Sequence, residues 1–133
     1  MTNRKRIGLF LKFRPIASSK RLSKDCYTRV KRSMALIIRS SAIHAAGCYT
    51  TEPIKNRTRV VEYTGPRISK EQADIKYENS PTTYLFGIGN GAKVIDGHGI
   101  AMFINHSCDP NCETDEARGH VWIRAIVVLP MPR

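Results

Sequence analysis

The densest cluster of polar, potentially reactive side chains in the chain is the run Asn105-His106-Ser107-Cys108-Asp109-Pro110-Asn111-Cys112. Taken bare, it admits three readings. Cys108, Cys112, His106 and the more distant His120 are thiolate and imidazole donors of the kind that hold zinc, but the two cysteines stand four apart and no Cys-x-x-Cys pair accompanies them. Cys108 and His106 are a nucleophile and a base by type, yet close neighbours in sequence rarely face each other productively. The third reading is a turn, because Asn, Ser, Asp and Pro bond to or preset their own backbone and so connect two strands. Residue types alone leave all three open.

The elements that must position this run are short. From Met34 onward, apolar stretches rich in Val, Ile, Tyr and Phe predict strands over Ala35–Ile38, Arg59–Tyr63, Tyr84–Ile88, Val94–Ile95 and Val121–Leu129. One helix is predicted over Ser69–Glu78, where Ser69 caps the first turn, Gln72 answers it as in a capping box, and Glu71 and Asp74 favour the positive end of the dipole. Asn90-Gly91 between two strand-like runs predicts a tight hairpin turn, since both residues tolerate positive φ. The expectation is a mostly β body with little helix. Val121–Leu129 is followed only by Pro130, Met131, Pro132 and Arg133, so an uncovered strand edge is expected there.

At 133 residues, with 41% apolar and 25% charged side chains, the chain is one folded domain, which excludes a collagen-like, coiled-coil or wholly disordered protein. No apolar run approaches a membrane span; the longest near the start, Ile7 to Phe13, is broken by Lys12. The net charge of +11 is concentrated, because residues 1–35 hold eleven Lys/Arg against Asp25 alone. We therefore divide the chain into a flexible basic arm, 1–35, and a body, 36–133. The arm reads as a phosphate-binding segment for nucleic acid, a solubilising tail or a targeting peptide. Cysteines 26, 48, 108 and 112, in a chain without a secretory pattern, read as reduced thiols of an intracellular protein.

The run Asn105–Cys112, led by Met102-Phe103-Ile104, resembles the signature of SET-domain protein-lysine methyltransferases. Other segments share the likeness. Glu62-Tyr63-Thr64-Gly65-Pro66-Arg67-Ile68 resembles the family's Glu-Tyr-x-Gly-x-x-Ile, and Ser41-Ala42-Ile43-His44-Ala45-Ala46-Gly47-Cys48-Tyr49 resembles its opening Gly-x-Gly-aromatic turn. Tyr84-Leu85-Phe86, Val94-Ile95-Asp96 and Val121-Trp122-Ile123 follow in the family's order. The resemblance implies a SET-domain fold of several short curved sheets (β-clip-like), with Asn105–Cys108 packed against Glu62–Gly65. It implies a protein-lysine (histone-like) N-methyltransferase that uses S-adenosyl-L-methionine and no metal, cytoplasmic or associated with chromatin or the nucleoid. Gly47 and Tyr49, completed by Asn105 and His106, would hold the cofactor. Tyr63 would be the catalytic residue of the lysine channel, with Tyr84 and Phe103 as substrate-binding neighbours.

Three departures qualify this. Ala45 stands where the family has the first Gly of its opening turn. Gly97-His98-Gly99-Ile100-Ala101-Met102 is shorter than usual, with Met102 for Arg and Gly99 for Asn. The family's Gly-Glu-Glu-Leu-x-Tyr-x-Tyr segment, which closes the fold and supplies a tyrosine, does not follow Val121-Trp122-Ile123 before Arg133. On that reading the chain is a truncated, weak or inactive methyltransferase; the alternative is a non-catalytic remnant or binding module.

Overall fold

A computed structural model describes residues 9–10 and 12–13 by their backbone and residues 36–42 and 45–129 in full. In chain order the elements are β1 (Leu9–Phe10), β2 (Lys12–Phe13), β3 (Leu36–Ser40), β4 (Ala46–Thr50), β5 (Arg59–Glu62), β6 (Arg67–Ser69), α1 (Lys70–Tyr77), β7 (Leu85–Ile88) and β8 (Lys93–Asp96). A 3₁₀ turn (Ile100–Phe103), β9 (Asn105–His106), β10 (Cys112–Ala117) and β11 (His120–Ala125) complete the order. The strands form three small sheets, ordered β5-β11-β10-β1-β9, β2-β4-β3 and β6-β8-β7. The mostly β architecture with one short helix is as the sequence implied. Two strands lie within the basic arm, however, and enter the sheets of the body; the arm's remaining residues, and the flexibility assigned to it, fall outside the described residues.

The core lies between the first two sheets and the 3₁₀ turn: Cys48, Ile54, Val60, Ala101, Ile104, Cys112, Ile123, Ala125 and Leu129 pack as one cluster. Along β11, Val121, Ile123 and Ala125 are buried and alternate with His120, Trp122 and Arg124 on the other face, the period of two that a half-buried strand requires. Its partner β10, Cys-Glu-Thr-Asp-Glu-Ala, lacks such a pattern and was not predicted as a strand. Its buried acids are matched by cations instead: Glu113 accepts from Arg124 directly across the hairpin, and Asp115 accepts from Arg59 Nη2 at 2.9 Å.

The predicted strand Val121–Leu129 ends at Ala125, and its expected open edge does not exist. β11 is paired on both sides, by β10 and β5. Leu129 N–H and Ile54 N–H each donate to the other's carbonyl at 2.8 Å, Leu129 is buried, and Val127 packs on the core, so only Val128 is solvent-exposed. β9 and β5 are the two outer strands of the same five-stranded sheet, so Asn105–His106 and Arg59–Glu62 do not pair with each other.

The helix forms as its capping residues dictate. Gln72 N–H donates to Ser69 Oγ at 3.2 Å while Ser69 N–H donates to Gln72 Oε1 at 3.0 Å, satisfying two orphan donors at once. The hairpin between β7 and β8 has a four-residue loop rather than a tight turn on Asn90-Gly91. Gly89 (φ 58°) and Gly91 (φ 87°) take the positive-φ positions, and the Asn90 side chain accepts from Ala92 N–H at 3.1 Å.

Candidate functional site

Tyr63 follows β5 and extends its pairing, donating its N–H to Val121 carbonyl at 2.8 Å. Its side chain is half-buried, and its hydroxyl donates to the backbone carbonyl of Tyr84 at 2.6 Å. That carbonyl also accepts Gly97 N–H at 2.8 Å, so one oxygen joins the end of β5, the start of β7 and the end of β8. Two glycines make the convergence sterically feasible. A Cβ on Gly97 would lie 2.3 Å from the Tyr63 hydroxyl oxygen, and one on Gly65 would lie 1.8 Å from the Asp96 carbonyl oxygen. Only a residue without a side chain fits either place.

The surroundings are aromatic. The Tyr63 and Phe86 ring centroids are 5.4 Å apart at a 44° tilt, and those of Tyr84 and Phe103 are 6.1 Å apart at 58°. Tyr63, Tyr84 and Phe103 are thus brought to one place, although Tyr84 meets Tyr63 through its carbonyl oxygen rather than its phenol. Phe86 and Gly97 were assigned no role from sequence, and the signal for Gly97 was its position directly after Val94-Ile95-Asp96.

Beside this cluster lies a buried charge. Asp96 is 1% exposed, and its carboxylate accepts from Lys76 Nζ and the Tyr77 hydroxyl, both delivered by the last turn of α1. The Lys76 and Tyr77 hydrogen bonds hold the Asp96 carboxyl below its ordinary range, and the bond to Asp96 raises the Lys76 ammonium. Burial, then the Asp96 charge, pushes the Tyr63 phenol up to about 12. Tyr63 therefore keeps its proton across the neutral range and acts as a hydrogen-bonding group, not as a base.

A second group of residues meets where β4 and β9 converge. Asn105 Nδ2 donates to Ala46 carbonyl at 3.2 Å and to Ser41 Oγ at 3.4 Å, and a Cβ on Gly47 would lie 3.2 Å from the same nitrogen. Gly47 and Tyr49, two apart, share one face of β4, while Cys48 between them is buried in the core. The Tyr49 hydroxyl donates to Ser40 carbonyl at 3.1 Å. Gly47, Tyr49 and Asn105 thus belong to one region. His106 is exposed and, as the strand neighbour of Asn105, projects from the opposite face of β9.

Of the cysteines, Cys48 and Cys112 are buried free thiols, pushed up by burial to about 11 and about 12, and Cys108 is exposed. Among the described residues no group of three or more His, Cys, Asp or Glu is arranged to hold a metal ion. A cleft of about 420 Å³ lies at the far end of the β10–β11 hairpin, lined by Arg59, Glu62, Arg118, His120 and Trp122. It is remote from the aromatic cluster in character, since Arg59 is paired with Asp115 and His120 Nδ1 with Glu62 at 2.6 Å.

This fold, with its Tyr63 seat and the Asn105–Cys112 turn, defines a class. The SET-domain family model matches residues 45–130, and the chain belongs to that family. Among similar proteins, a histone-lysine N-methyltransferase, H3 lysine-4 specific, of Eremothecium gossypii is 40% identical over 90 residues, 62% of this chain and 9% of that protein. Its namesake in Saccharomyces cerevisiae is 37% identical over 90 residues, 62% of this chain and 8% of that protein. Histone-lysine N-methyltransferase ATXR7 of Arabidopsis thaliana is 40% identical over 91 residues, 62% of this chain and 6% of that protein. The chain thus spans under a tenth of the length of these relatives. No described helix is long and apolar enough to cross a membrane.

Proposed function

We propose that the SET domain of this chain transfers a methyl group from S-adenosyl-L-methionine to the side-chain amine of a lysine in a protein of histone-like, basic character. The observation that carries this reading is the Tyr63 hydroxyl held on the Tyr84 carbonyl within a cluster of Phe86, Tyr84 and Phe103. The names of the similar proteins support the same chemistry and an association with chromatin.

The residues between β4 and β9 suit the cofactor. Asn105 anchors its amide nitrogen on Ala46 and Ser41, which fixes its side chain beside Gly47, and Gly47 offers backbone without a side chain in the way. On this reading Gly47, Tyr49 and Asn105 hold the amino-acid and adenosyl parts, with His106 contributing backbone. When bound, the cofactor supplies an electrophilic methyl on a positive sulfonium.

The chain's own residues then have two tasks. A lysine amine attacks only when neutral, and with an ordinary pKa of about 10.4 that costs roughly 4.6 kcal/mol at pH 7. A channel walled by Phe86, Phe103 and the Tyr63 ring removes water from the ammonium and lowers that cost. Tyr63 has spent its one proton on Tyr84, so its oxygen presents lone pairs that accept an amine N–H and aim the nitrogen lone pair. Lys76 and Tyr77 balance the Asp96 carboxylate, which would otherwise hold the amine protonated. The basic arm, 1–35, is proposed to engage nucleic-acid phosphates near the substrate.

The test is transfer of radiolabelled methyl from the cofactor to mixed histones by the chain and by Tyr63→Phe. Turnover that falls tenfold or more in the variant supports the reading. Turnover unchanged by Tyr63→Phe removes Tyr63 from the chemistry, and cofactor binding with no transfer at all leaves a binding module.

A further inference from the structure

Three of the four residues assigned to the cofactor are register partners of the basic arm. In β1, Leu9 pairs with His106 and Phe10 with Asn105, antiparallel. In β2, Lys12 pairs with Tyr49 and Phe13 with Thr50, parallel. The two strands are separated by a single residue, so the arm crosses from β9 to β4 within one step of chain.

The consequence for β9 is larger than for β4. β9 is two residues long and lies at the end of its sheet, with β1 as its neighbour in the strand order. On its other side β1 pairs Leu9 with Cys112 of β10, so it stands between β9 and the rest of the sheet. Among the described residues, Asn105 and His106 are joined to the main sheet's ladder through the arm. β4 keeps β3 along one edge, and the arm covers the other at Tyr49 and Thr50. A two-residue strand without a ladder partner has little to fix its backbone, since the pairing supplies the hydrogen bonds that its amides otherwise find in water.

We propose that the strands Leu9–Phe10 and Lys12–Phe13 are a strap that sets the backbone of the cofactor-binding residues, the first joining β9 to β10 and the second pairing with β4. The strap is a positioning segment, and it acts through Asn105, His106 and Tyr49. It also gives the N-terminal arm a task inside the domain, distinct from any use of its charge. The functional half of the inference rests on the proposed cofactor site; the structural half does not.

The experiment introduces Phe10→Pro with Lys12→Pro into the full chain, because proline removes a ladder donor and cannot continue a paired strand. Ser23→Pro, elsewhere in the arm, is the control. Amide hydrogen exchange at Tyr49, Thr50, Asn105 and His106 is followed together with binding of radiolabelled S-adenosyl-L-methionine. The strap requires exchange to quicken at least tenfold at the amide of each adjacent pair whose N–H faces β1 or β2, with Val121 and Ile123 still protected, and the cofactor Kd to rise at least tenfold, while the control matches the parent. Unchanged exchange and a Kd within twofold of the parent overturn it. If the parent itself binds no cofactor, the assignment of the site fails, and the exchange rates alone decide the strap. If the proline variant loses protection at Val121 and Ile123 as well, Leu9→Gly with Phe10→Gly, which weakens pairing without forbidding it, decides on the same readings.

Discussion

The Tyr63 hydroxyl lies 2.6 Å from the Tyr84 carbonyl oxygen and donates to it, although the two residues are 21 positions apart. The bond requires the Asp96-Gly97 step to pass within contact distance, and Gly97 contributes by having no side chain there. A Cβ at that position would meet the Tyr63 oxygen at 2.3 Å and the Tyr84 carbonyl oxygen at 2.7 Å.

Gly97→Ala is therefore expected to destabilise the fold by about 1–3 kcal/mol, the range for inserting a methyl into packed structure. Because the added methyl and the phenol oxygen compete for one space, the two sites are coupled. In a Tyr63→Phe background the same alanine should cost less, with the Tyr84 carbonyl oxygen at 2.7 Å and the retained ring carbon Cζ at 2.8 Å accounting for what remains. Urea unfolding of the four members of this cycle measures the coupling. Additive costs would show that Tyr63 moves aside freely.

Much of this arrangement was readable from the sequence where chemistry is local. Ser69 and Gln72 announced α1 because their bonds span three residues. β10 was not readable. Its Glu113 and Asp115 suggest solvent, and what buries them is Arg124 eleven residues away and Arg59 fifty-six residues away. The same applies to the pairing of Leu9 with His106, since nothing within a basic, acid-poor arm signals a ladder partner near residue 106. At the candidate site the aromatic types were evident, but the acceptor for Tyr63 was a backbone carbonyl, which has no sequence signature.

Alkaline stability follows from the raised phenol. Tyr63 titrates near 10 in the unfolded chain and at about 12 in the fold, so its contribution is complete below pH 10 and disappears as pH rises from 10 through 12. Cys48 and Cys112, raised from 9.0 to about 11 and about 12, begin the decline earlier, from pH 9. Urea midpoints measured between pH 8 and 12 should fall in that window. Tyr63→Phe should flatten only the part above pH 10; an unchanged slope would mean that the phenol is as free in the fold as outside it.

Burial orders the thiols by reactivity. Cys108, exposed at the Asn105–Cys112 turn, is open to reagent and should be alkylated by iodoacetamide at pH 8 in the folded chain. Cys48 and Cys112 should resist until denaturant is added, with rates roughly a hundredfold or more below those in the unfolded chain, as the rise of their thiols from 9.0 to about 11 and about 12 implies. Peptide mapping by mass spectrometry after timed quenching reads each site separately. Equal labelling of Cys112 and Cys108 would place β10 outside the core.

Asp96 links the helix to the chemistry proposed for Tyr63. Its carboxylate is buried and is balanced by Lys76 and Tyr77, so the aromatic cluster sees a paired charge. Lys76→Met removes the cation and leaves the negative charge. An unbalanced carboxylate favours the protonated form of any amine nearby, so a substrate lysine would give up its proton only at higher pH. The pH–rate profile for methyl transfer should move upward by on the order of half a unit to one unit, and turnover at pH 7 should fall by a similar logarithm. Adding Asp96→Asn to Lys76→Met removes the surviving charge and should return the profile towards that of the parent, although the fold loses in the neutral range the stability that the lowered carboxyl supplied. That rescue separates electrostatics from packing, because a variant that merely loosened α1 would lose rate at every pH and regain nothing when the carboxylate is neutralised.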